Sequence, residues 1–115
     1  MREKVRVTFV LPGSLMHDLK SRVMRDGYDL KGKSRWIAEA IEDLLATASF
    51  PDLVKISDNM HGFQKLESIV IPKALKQQID QAIISIRRAY SDLEGVQSRI
   101  VRTAIMQRIL RKFSN

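Results

Sequence analysis

The chain has 115 residues, a formal charge of +7 and no cysteine. That length fits one compact domain or two very small units sharing a core, and 44% hydrophobic with 29% charged residues excludes a disordered polymer. No apolar run is long enough to span a bilayer, residues 1–10 lack the apolar core of a signal peptide, and without thiols there is no disulfide framework, thiolate metal site or cysteine nucleophile, so the chain is expected in the cytoplasm.

In chain order, the first predicted element is a strand over 5–12. Val7, Phe9 and Leu11 fall on one side of it, and Arg6, Thr8 and Val10 on the other. Pro12 ends the strand. Leu15, Leu19 and Val23 then recur at helical spacing, which predicts a helix over about 13–26. Gly27 and Gly32 mark a turn, and a second helix is predicted over about 33–47, with Trp36 at an apolar packing position. Residues 49–63 form a connection whose Phe50, Leu53, Val54 and Ile56 are expected to pack on the outside of the core. A second strand follows over 66–72. Ile69 and Ile71 face inward, Glu67 lies near the ribbon end, and Leu66, Ser68 and Val70 face outward. Helices are predicted beyond it over about 73–91, carrying Leu75, Ile79 and Ile83, and over about 97–112, with Gly95 in the turn between them.

The chain therefore repeats itself. Pro12, Leu15, Leu19 and Val23 align with Pro72, Leu75, Ile79 and Ile83, and Ser34-Arg35 with Ala40-Ile41 align with Ser98-Arg99 and Ala104-Ile105. The domain organisation read from this is a strand-helix-helix unit at 1–48, the connection at 49–63, and a second unit at 64–115, with one shared core. Each unit has only one strand, which leaves two unpaired edges. The economical solution is an antiparallel pairing of the two strands, with four helices packed on one face. The fold class is mainly α with a two-stranded antiparallel ribbon, α+β overall.

Arg-x-Thr-x-x-Leu-Pro at 6–12 and Gly-x-Ser-Arg-x-Ile-x-x-Ala-Ile at 32–41 carry a resemblance. The chain resembles the ribbon-helix-helix DNA-binding proteins of the Arc/MetJ/CopG superfamily, in a tandem, single-chain arrangement similar to the TraY proteins of conjugative plasmids. The resemblance covers nearly the whole chain except the connection. It implies an intramolecular pseudo-dimer. The second unit departs from the pattern, with Leu66, Ser68 and Val96 where the first has Arg6, Thr8 and Gly32.

In that family the ribbon enters the DNA major groove and outward side chains read base edges. Carried over by position, the base-reading residues are Arg6, Thr8 and Val10 from the first unit and Leu66, Ser68 and Val70 from the second. The chemistry is apt, because a major groove admits a two-stranded ribbon, arginine donates twice to guanine, hydroxyls serve either role, and aliphatic groups meet the thymine methyl. The plainer alternative is that these are ordinary solvent-facing strand residues. Phosphate contacts are expected at the start of each unit's second helix, where unpaired N–H groups and the helix dipole favour an anion. Those positions are Lys33 and Ser34, and Gln97 and Ser98, with Arg35 and Arg99 adding charge. For the two serines, helix capping is a compatible alternative. Lys4 with Arg2, and Lys65, stand beside the strands and can reach the backbone.

Charge is uneven: residues 1–46 carry nine Lys/Arg against seven Asp/Glu, residues 65–115 ten against four. Within the second group Arg102, Arg108, Arg111 and Lys112 are expected on a solvated helix face. His17 and His61 are isolated, no cofactor is implied, and nothing points to an enzyme. The expected function is sequence-specific binding of double-stranded DNA as a transcriptional repressor, on the nucleoid or a plasmid, with further copies on adjacent sites. One alternative is a conjugation accessory protein that binds near a transfer origin and assists a relaxase. Another is that the degenerate second unit serves protein–protein interaction. No membrane partner is expected. Two fused, unlike units need not read a two-fold symmetric site.

Overall fold

A computed structural model describes residues 3–29, 31–56 and 64–111. Arg2, His61, Gly62 and Lys112 lie outside the described residues. The elements run β1 (Lys4–Pro12), α1 (Gly13–Arg25), α2 (Lys33–Leu45), α3 (Phe50–Ile56), β2 (Gln64–Pro72), α4 (Lys73–Ala89) and α5 (Val96–Arg111). The order strand, helix, helix thus occurs twice, with α3 between. The seven-residue α3 is an addition to the sequence reading, which treats 49–63 as a connection without assigning it a helix.

β1 and β2 pair antiparallel as a two-stranded sheet. Their alternation decides which face is covered. Val7, Phe9, Leu11, Ile69 and Ile71 are all buried against the helices, while Arg6, Thr8, Leu66 and Val70 are exposed. A shift of one residue in either strand would turn the apolar set to solvent, so the core fixes the register. Both strands end at a proline, which has no N–H for the ladder and whose backbone angles (φ −59, ψ 142) lead directly into a helix. The ladder extends one step beyond Pro72, where the Lys73 N–H donates to the Glu3 carbonyl at 3.0 Å.

α1 ends in a Schellman motif. The Tyr28 N–H donates to the Val23 carbonyl and the Gly27 N–H to that of Met24, both at 3.1 Å. The motif needs a left-handed residue, and Gly27 supplies it at φ +86. Gly32 opens α2 for a different reason. A Cβ there would stand 2.7 Å from the Tyr28 Cβ, so the turn closes only around a hydrogen.

The core is one cluster drawn from every element. Trp36, Ile37, Ile41 and Leu44 of α2 face Ile100, Val101, Ala104 and Ile105 of α5, and α2 and α5 are the most closely packed pair of helices. Residues 100–105 of α5 are all buried, which no single helix face could achieve. The helix is enclosed because α2, β1, α3, α4 and α1 surround it. Val54 of α3 is fully buried and Phe50 and Leu53 pack partly on the core, as expected, whereas Ile56 is 70% exposed and does not join them. Among the described residues, no helix is long and apolar enough to cross a membrane.

Candidate nucleic-acid interface

The middle of the ribbon's outward side is a ladder of three pairs: Arg6 beside Val70, Thr8 beside Ser68, and Val10 beside Leu66. The six residues singled out for base contact therefore share one face. Leu66 is 73% and Val70 43% exposed. Glu67 is the sole carboxylate within the two strands. It sits opposite Phe9 on the inner-face parity and pairs with Lys33 at 3.4 Å. These three outward pairs thus carry one guanidinium, two hydroxyls and three aliphatic groups, and no acid shares their face.

The second helix of each half holds the opposite half's strand. The Ser98 hydroxyl of α5 accepts from the Val10 N–H of β1 at 2.9 Å, and the Ser34 hydroxyl of α2 accepts from the Val70 N–H of β2 at 3.2 Å. Gln97 adds a donor bond to the Thr8 carbonyl at 2.6 Å. These bonds occupy outer-edge groups that a two-stranded ribbon leaves without a ladder partner. They also make Arg6–Val70 and Val10–Leu66 non-hydrogen-bonded pairs, whose side chains stand closest together. Helix capping is not what Ser34 does: Gly32 is the N-cap of α2, and no side chain caps that end.

Of the residues singled out for phosphate, four are engaged inside the fold. Lys33 is held by Glu67, Ser34 and Ser98 by the strand amides, and Gln97 by Thr8. Lys4 and Lys65 are exposed beside the ribbon. Arg35 is exposed with its guanidinium 4.6 Å from the centre of the Tyr28 ring. Arg99 is half-buried near the start of α5. Lys4, Lys31, Gly32, Ser34 and Arg35 line an open groove of about 630 Å³ that runs from the α1–α2 turn to Val70 and Pro72 at the end of the ribbon. Its acids are Asp29, Glu39 and Glu42.

The expected solvated face on α5 is corrected by the structure. Arg102 is buried, and the half-buried Arg108 crosses to α2. Arg108 donates to the Trp36 carbonyl at 2.7 Å and to Glu39 Oε1 at 3.2 Å, and it stacks 4.6 Å from the Trp36 ring centre. Arg111 is exposed, with Asp43 at 3.7 Å. The Tyr28 hydroxyl also donates to Glu39, and the Trp36 indole N–H donates to Asp26 at 2.7 Å. Burial pushes the Glu39 carboxyl up, but hydrogen bonds from Tyr28 and Arg108 and the charges of Arg108 and Arg35 prevail and hold it below the ordinary carboxylate range. Burial, then the charge of Arg99, lowers the Arg102 guanidinium below its usual value. The sequence reading did not find this Tyr28–Trp36–Glu39–Arg108 cluster. Tyr28, Trp36 and Glu39 are close in sequence and could have been grouped, but Arg108 arrives from another helix.

Trp36 is fully buried, as its packing position predicts, and His17 is exposed. Among the described residues no group of His, Asp and Glu suits a metal ion. No protein family, curated protein or solved structure gives a match to this chain.

Proposed function

We propose that the chain is a tandem ribbon-helix-helix protein whose two strand-helix-helix units form an intramolecular pseudo-dimer, and that it binds double-stranded DNA by laying the β1–β2 ribbon in the major groove. The observation that carries this reading is the outward register of the ribbon. Arg6, Thr8, Ser68 and the aliphatic residues stand on one acid-free face, and the ribbon edges are already tied down by Ser34, Gln97 and Ser98. A major groove about 12 Å wide takes a two-stranded ribbon side on. The reciprocal serine bonds support the pseudo-dimer, since each unit's second helix holds the other unit's strand.

Backbone contact falls to groups flanking the ribbon. Lys4, Lys65 and Arg35 are exposed and positioned to meet phosphates, with Arg99 behind them. Lys33 contributes when it exchanges Glu67 for a phosphate. Ser34, Gln97 and Ser98 act as positioning residues, because they fix the ribbon against the helix starts whose free N–H groups attract an anion. Transcriptional repression is the biological role we assign to such binding, with a cytoplasmic, nucleoid- or plasmid-associated location. A role at a transfer origin beside a relaxase would use the same contacts.

The test is selection of bound duplexes from a random pool by the full chain, followed by footprinting and a salt titration. The expected outcome is a defined site with affinity falling steeply as salt rises. Absence of salt-dependent duplex binding overturns the reading.

A further inference from the structure

The outward face has two unlike ends. Exchanging the strands about the Thr8–Ser68 pair would place Arg6 on Leu66 and Val10 on Val70. The valines match under that exchange, while Arg6 and Leu66 do not. One end therefore presents a guanidinium beside an isopropyl group, and the other presents two branched aliphatic chains. Arg6 is exposed and has no hydrogen-bond or carboxylate partner among the described residues. Leu66, at 73%, is the most exposed large hydrophobic side chain described.

Leu66, held out to solvent on a ribbon beside the half-buried Val10, calls for an occupant. Two or three side chains are far too small for a stable protein interface, which needs roughly 800 Å² per partner. The pair is the right size for one or two methyl groups. Thymine alone among the DNA bases places a methyl group in the major groove, and guanine alone offers the paired O6 and N7 acceptors that suit arginine. Arg6 and Val10 are four residues apart, about 13 Å along a strand, which is about four base-pair steps.

Resting on the major-groove reading above, we infer that one chain reads a directional half-site, with guanine at the Arg6–Val70 end and thymine methyls at the Val10–Leu66 end. The Thr8–Ser68 pair in the middle tolerates several bases, since a hydroxyl both donates and accepts. Because the two ends differ, the chain seats on its site in one orientation only.

The experiment uses the full chain and the duplex selected from a random pool. Uracil replaces thymine to remove the methyl group alone, and 7-deazaguanine replaces guanine to remove N7 alone. Binding is measured for the parent, Leu66→Ala and Arg6→Ala, each first shown to melt like the parent. The expected result is a motif with guanine at one end and thymine at the other. Uracil at the thymine end weakens the parent about 4-fold, the worth of one buried methyl, and has a smaller effect on Leu66→Ala, which keeps Val10 alone. 7-Deazaguanine at the other end weakens the parent roughly 5-fold or more and has no effect on Arg6→Ala. A two-fold symmetric motif, indifference of the parent to uracil, or both variants losing sensitivity at the same end would overturn the directional assignment while leaving DNA binding standing. Failure to bind any duplex would overturn the DNA reading and this one with it.

Discussion

Trp36 and Ile100 occupy matching places in the two halves, and both are fully buried, yet their surroundings differ. Trp36 is ringed by polar partners: Asp26 accepts a hydrogen bond from its indole N–H, and Arg108 stacks on the ring and donates to its carbonyl. Ile100 contributes packing alone. The next positions diverge in the same way. Glu39 and Asp43 of α2 reach toward solvent and pair with arginines of α5. Their counterparts Thr103 and Gln107 are buried and half-buried. α3 adds a further difference between the halves. It lies against α4 and α5, anchored by Val54, with Tyr90 bonded to Asp52 and Lys55 over the Tyr90 ring. A segment outside the repeat thus adds cover to the second half's α5. The inward positions of both halves must be filled with apolar volume. The polar shell and the outward ribbon face are free to diverge.

The largest expected asymmetry is in the core. Trp36→Ala should cost about 3–5 kcal/mol, from lost volume, the lost indole hydrogen bond to Asp26 and the lost stacking under Arg108, and more than Ile100→Ala. Urea unfolding of both variants checks the order, and equal losses would mean that the polar ring contributes nothing. Val54→Ala should cost about 2 kcal/mol if α3 is part of the core. A parent-like transition would make α3 a passive connection.

Arg6→Ala should leave stability within about 0.5 kcal/mol of the parent, because the side chain is exposed, but weaken specific DNA binding by about 1–3 kcal/mol with relaxed base preference. Equal loss on every sequence would instead assign Arg6 to phosphate. The serines sharpen the comparison further. Ser98→Ala removes the acceptor of a partly buried amide and should cost about 1 kcal/mol, whereas the exposed Val70 N–H can turn to water when Ser34 is replaced, so Ser34→Ala should cost less.

The smallest effect concerns pH. The Glu39 carboxyl is held below its ordinary range in the folded chain. Its contribution is fully present above the unfolded value of about 4.3 and is lost as pH falls through the lower folded value. Because Glu39 is half exposed, that contribution should stay under about 1 kcal/mol. Glu39→Gln should flatten the decline in stability below about pH 4.5 in denaturant titrations run at a series of pH values.

The elements and the ribbon faces were legible in the sequence because each rests on a local rule. Period-two alternation put Phe9 inward and Arg6 outward, helical spacing gathered Leu15, Leu19 and Val23, and the prolines and Gly27 marked the boundaries. The roles of Ser34, Ser98, Gln97 and Lys33 were not legible. Each partner lies 34 to 89 residues away, and sequence spacing carries no trace of such contacts.

By itself, then, the sequence determined two strand-helix-helix units and which residues of each strand turn away from the core, because backbone periodicity and proline geometry act over a few residues. Only the tertiary structure decided that each serine holds the other unit's strand, that α5 rather than α2 is enclosed, and that Arg102 and Arg108 are drawn inward. Those outcomes depend on which helices pack around which, and packing in three dimensions is a property of the whole chain.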